Sequence, residues 1–80
     1  ARGQQLSGAA DAAALAAADV LLGWVAGDPC AAATRVAAAH DARLIHCSSD
    51  GLAVTVRVGA SILGLPIERT ARAGAADLAE

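Results

Sequence analysis

Eighty residues, a net charge of −2 and a single aromatic, Trp24, bound what this chain can be. One small domain is all that fits; no basic cluster is present to hold nucleic-acid phosphates, and neither a signal peptide nor an apolar run long enough to cross a bilayer is visible. The composition is 56% hydrophobic, but about three residues in ten are alanine, so each buried position removes little apolar area from water and the core must be thin. A core of this size is marginal on its own and calls for a staple.

Residues 2–25 read as one long helix with no capping residue ahead of it, which predicts helical chain upstream. Leu6, Ala10, Ala13, Ala14, Ala17, Leu21 and Trp24 recur at steps of three and four and gather on one side, while Ser7, Asp11 and Ala18 fall on other faces. Alanine sustains such a helix with no side-chain entropy to lose. Gly27 is the expected left-handed stop, and Trp24, just before it, reads as a core plug rather than as part of a ligand pocket with Gly23 and Gly27.

A second helix starts sharply at Asp28, with Pro29 in the first helical position and Cys30 next. It is expected to run to about Ala39, turning Ala33, Val36 and Ala37 inward, with His40 a further inner candidate. From Arg43 the period changes to two: residues 43–48 and 52–58 form a hairpin about Asp50-Gly51, with Leu52, Val54, Val56 and Val58 alternating against Ala53, Thr55 and Arg57. Residues 59–66 read as a loop or wide turn broken by Gly59, Gly64 and Pro66, and residues 67–75 as a third antiparallel strand on the second. The tail at 76–80 is expected to fray. The fold class is therefore α+β, a long N-terminal helix and a short second one packed on a three-stranded antiparallel sheet.

Cys30 and Cys47 are the candidates for the staple. Bonded, they would close a short loop, contribute about 3 kcal/mol and place the domain in an oxidising compartment; two free buried thiols are the alternative. Other chemistry fits poorly. Cys30, His40 and Asp41 have the residue types of a nucleophile with its base and orienting acid, but His40 and Asp41 are neighbours that diverge in space and no glycine-rich loop offers an oxyanion hole. Cys30, His40, His46 and Cys47 have the types of zinc ligands, yet His46 and Cys47 are adjacent in a strand and point to opposite faces. Arg57, Arg69 and Arg72 could make a basic stripe, but Glu68 and Asp50 lie close by, as on an ordinary solvated sheet face.

The stem RGQQLSGAADAAALAAAD, followed by GDPCAAATRVAAA, ARLIHCSSDGLAVTVRV and RTARAGA, resembles the TadE-like pilin proteins of tight-adherence (Tad, Flp-type) systems, in particular their actinobacterial secretion-neighbourhood version. The likeness spans essentially the whole chain. It departs at one turn, where the family has Asn-Gly and this chain has His40 and Asp41. The resemblance implies a pilin-like fold, with residues 1–27 as the lower stem and 28–80 as a small disulfide-bonded head, and a minor pilin or pseudopilin with no catalysis, no cofactor and no metal. It implies an extracytoplasmic, cell-surface location and a membrane anchor upstream of Ala1, with Arg2, Gln4 and Gln5 just outside the bilayer. Its partners would be other pilin subunits and the pilus assembly machinery, not nucleic acid or a small-molecule substrate. Leu6, Ala9, Ala10, Ala13, Ala14, Ala17, Leu21 and Trp24 would form the assembly helix, with Ala12 and Ala16 helping neighbouring stems to approach closely; the plainer reading is the core helix of a monomeric domain. A second functional class is an extracytoplasmic binding or adhesion module using Ile62, Leu63 and Leu65.

Overall fold

The computed structural model describes residues 2–74, with the side chains of 2–5 left aside, so the predicted tail at 76–80 and the stem side chains at Arg2, Gln4 and Gln5 lie outside the described residues. Two helices, α1 (Arg2–Leu21) and α2 (Pro29–Ala39), precede three strands, β1 (Arg43–Asp50), β2 (Ala53–Ile62) and β3 (Leu65–Gly74). The strands form one antiparallel sheet in the order β1-β2-β3, and both helices pack on it. The architecture is the expected α+β one.

Central strand β2 supplies the sheet's share of the core. Val54, Val56 and Val58 are fully buried, and the helices meet them almost entirely with alanine: Ala9, Ala10, Ala13, Ala14, Ala17 and Ala18 from α1, Ala33 and Ala37 from α2. Leu6 is the one larger fully enclosed residue that α1 adds to this cluster. Ala18, expected on another face, is buried because α1 touches α2 on one flank and β2 and β3 on the other, which widens its inner face beyond a single stripe. Residues 6–21 thus form the spine against which α2 and the sheet pack.

α1 ends at Leu21, short of the predicted Val25, because Gly23 and not Gly27 is its stop. Gly23 adopts φ 85, its N–H donates to the Val20 carbonyl at 3.0 Å, and the Trp24 N–H donates to the Asp19 carbonyl at 2.9 Å. This is the Schellman arrangement, with glycine free to take the left-handed conformation. The reversal throws Trp24 off the helix: it is 80% exposed and no core plug.

α2 begins as the residue types dictate, the Asp28 side chain accepting a hydrogen bond from the Ala31 N–H at 2.8 Å with Pro29 inside the first turn. Its far end, at His40 and Asp41, repeats the Schellman pattern. Asp41 (φ 61) takes the left-handed position, its N–H donating to the Ala38 carbonyl while the Ala42 N–H reaches the Ala37 carbonyl. His40 caps the helix and is exposed, not inward.

Both hairpin turns differ from their sequence reading. β1 runs through Asp50, so the first turn is Gly51-Leu52, with Gly51 at φ 63; Leu52 is an exposed turn residue and not the first inward one of β2. The predicted wide loop at 59–66 is instead a tight hairpin: β2 continues to Ile62, β3 begins at Leu65, and Leu63 (φ 54) and Gly64 (φ 80) turn between them. Positive φ at both central residues defines the type I′ turn, usually written Asn-Gly. A bulge at Ile45 interrupts β1, and its side chain fills the space that a Cβ on Gly59 would occupy.

Two substitutions test this packing. Ala13→Leu, forced between fully packed neighbours, should destabilise by about 1–3 kcal/mol in urea denaturation. Asp41→Gly should stabilise by about 1 kcal/mol, since glycine takes the left-handed position without a steric penalty; an unchanged or lower midpoint would show that Asp41 is not strained.

Candidate functional site

A disulfide joins α2 to β1. Cys30 lies in the first turn of α2 and Cys47 opposite Val56 on the inner face of β1, with their Cα atoms 5.8 Å apart and the sulfurs bonded. α2 is short and places only Ala32, Ala33 and Ala37 fully in the interior, so its hold on the sheet through apolar area is slight. The bond closes a loop with a sequence separation of 17, worth about 3 kcal/mol in chain entropy.

With both sulfurs in that bond, neither cysteine offers a thiolate. His40 sits exposed at the end of α2, while His46 pairs across the ladder with Arg57 on the outward face of the sheet, away from the inward Cys47. The candidate nucleophile and zinc sets are therefore not brought together, and no group of three or more metal-ligating side chains occurs among the described residues. Of the three arginines, Arg57 and Arg72 share the outward face, whereas Arg69 opposes the inward Val58. Arg57 lies 4.0 Å from Glu68, both side chains about half exposed, so the outer face is a solvated polar surface with little energy in its ion pair.

The predicted assembly residues divide in two. Leu6, Ala9, Ala10, Ala13, Ala14 and Ala17 are buried against the domain's own α2 and sheet, and Leu21 packs beside them half-buried, so within this domain that face of α1 has no surface left for a second stem. Trp24 lies beyond the helix. What α1 turns to solvent is a different strip of Gly8, Asp11, Leu15 and Asp19, flanked by the half-buried Ala12 and Ala16; Leu15 is 59% exposed at its middle. Leu15, Ala18, Asp19 and Leu22 then form one wall of an apolar groove of about 210 Å³, whose other wall is Arg72, Ala73 and Gly74 at the end of β3.

The periodic residues are those of the buried face of α1, and the solvent-facing strip lies elsewhere on the same helix. Leu15 and Leu22 were detectable as large apolar residues off the alanine stripe, and the leucines flanking Gly64 as an apolar turn. Comparison with known proteins finds no matching family model, no matching curated protein and no matching solved structure.

The cross-link gives a direct expectation. Cys30→Ser with Cys47→Ser should lower unfolding stability by about 3 kcal/mol, with the wild type in strong reductant falling to the same level. Thiol titration of the protein denatured without reductant should find no free cysteine; two titrating thiols would remove the staple.

Proposed function

We propose that this chain is the head of a TadE-like minor pilin or pseudopilin, a structural subunit anchored through a helix upstream of Ala1 and assembled with other pilins outside the cytoplasm. One observation carries the reading: a 20-residue, small-residue N-terminal helix is the spine onto which an antiparallel sheet folds. That geometry suits a chain whose first helix both builds the head and continues beyond it. The Cys30–Cys47 bond favours an oxidising compartment.

Assembly in this reading uses the outward strip of α1 and not its alanine face. Leu15 and the groove reaching Leu22 supply apolar contact, Gly8 and Ala12 let a neighbouring helix come close, and Asp11 and Asp19 call for cationic residues on the neighbour. A second reading, a surface-binding module, is favoured by the exposed leucines of the β2–β3 turn.

Incorporating a photo-crosslinking amino acid at Leu15 in the producing cells should capture other pilin subunits, while the same group at Ser48, exposed on the outward face of the sheet, should capture none. Deleting the gene should reduce filaments or pilin-dependent secretion. Normal filaments with lost adhesion would sink the structural reading in favour of the binding module.

A further inference from the structure

Three relations establish which end of the molecule is which. The groove sets Leu15, Ala18 and Leu22 of α1 beside Ala73 and Gly74, and Gly74 pairs with Ala53, so the C-terminal end of α1 lies at the Gly51-Leu52 end of the sheet. The disulfide starts α2 level with Val56, and the chain re-enters the sheet at Arg43 opposite Gly59, so α2 runs toward the β2–β3 turn. α1 therefore runs the other way. Its twenty residues span about 30 Å and the ten-residue strands about 33 Å, so the N-terminus of α1 and the Leu63-Gly64 turn share one end of the domain, opposite Trp24.

The turn at that end has a particular chemistry. Leu63 is 86% and Leu65 64% exposed, and residues 61–67, Ser-Ile-Leu-Gly-Leu-Pro-Ile, carry no charge. Leu63 holds a left-handed backbone (φ 54) that asparagine or glycine would adopt with less crowding, and it does so while its side chain faces solvent. Ile62 pairs with Leu65 across the turn, so the hairpin satisfies much of its own backbone hydrogen bonding to the tip.

We propose that this tip is a lipid contact. Resting on the membrane-anchored reading above, it places Leu63 and Leu65 in the interfacial layer of the bilayer from which α1 emerges, so that the head is seated on the membrane at two points. The size of the feature selects the occupant. A stable protein partner requires roughly 800 Å² from each side, far more than two leucines on a two-residue turn present, and an uncharged run from 61 to 67 offers nothing to orient one. A bilayer asks for neither shape match nor counter-charge, and a contact too weak to bind alone suffices beside a tether that keeps the local concentration high.

The test tethers the chain by a histidine tag ahead of Ala1 to phosphatidylcholine vesicles containing nickel-chelating lipid. Trp24→Phe combined with Leu63→Trp moves the single indole to the tip, and brominated phosphatidylcholine reports its contact with acyl chains. Tethering should shift the tip emission to the blue and produce at least twofold quenching, adding Leu65→Asp should abolish most of it, and Trp24 in the otherwise native chain should remain unquenched. No change at the tip on tethering, or equal quenching of Trp24, overturns the proposal. Concentration-dependent self-association of the untethered chain in sedimentation, lost in Leu63→Asp, also overturns it by making the tip a protein contact. Leu65→Trp replaces the probe if the first variant does not fold. The tag supplies the tether, so a negative result removes the lipid contact alone, whereas the pilin reading stands or falls on the crosslinking and deletion results.

Discussion

Nearly everything in this domain follows from the thinness of the layer between its helices and its sheet. The buried helical side chains are almost all alanines, and the central strand meets them with Val54, Val56 and Val58. A buried alanine surrenders no rotamer entropy, but it also removes little apolar surface from water. Backbones must approach closely for such a layer to be free of voids, and a covalent bond then supplies a share of stability that a thicker core would take from burial. The Cys30–Cys47 bond is placed accordingly, holding the shorter and less embedded helix to the sheet.

The same thinness decides which residues are left outside. Leu15, Trp24, Val25, Ile45, Leu52, Leu63 and Leu65 are exposed while alanine and valine, with Leu6, fill the interior, an inversion of the usual ranking by size. An indole would force the alanine layer apart, and the Schellman turn at Gly23 puts Trp24 where it does not have to. Singly exposed apolar residues need no explanation, but most of these lie at the two turns or just beyond the end of α1, with Leu15 on its solvent-facing strip and Ile45 at the bulge of β1. A core that excludes large side chains leaves them available for contact elsewhere.

Element types and order were legible because the signals were local: alanine periodicity, the Asp28-Pro29 start, the change of period at Arg43, the alternating valines. What was misread depended on which of two similar signals the backbone used. Gly23 and Gly27 both follow α1, and hydrogen bonding to Asp19 and Val20 selects the first. Asp50-Gly51 looked like the centre of a turn, but the ladder shifts it by one residue. Leu63-Gly64 lacked the asparagine that marks a type I′ turn, so a tight hairpin passed for a loop. The cysteine pairing was readable from its short loop and the need for a staple; Leu15 stood out as a large residue off the alanine stripe, but which side of α1 faces outward was not legible, since alanine lies on every side and only the positions of α2, β2 and β3 separate inside from outside.

That ambiguity follows from how evenly alanine is spread around α1. In an ordinary amphipathic helix the polar face is spent on water, and the apolar stripe is the sole surface for burial. Here alanine on both faces lets the inner side of α1 make the fold while the outer side stays nearly smooth, interrupted by one leucine between two aspartates. A neighbouring helix meeting that outer side would find little to clash with and two carboxylates to orient it. The direction of α1 adds a second relation: its N-terminus and the Leu63-Gly64 turn lie at the same end of the domain. The solvent-facing strip of α1 and the Leu63-Gly64 turn are separate surfaces, and neither takes part in the alanine layer that holds the domain together.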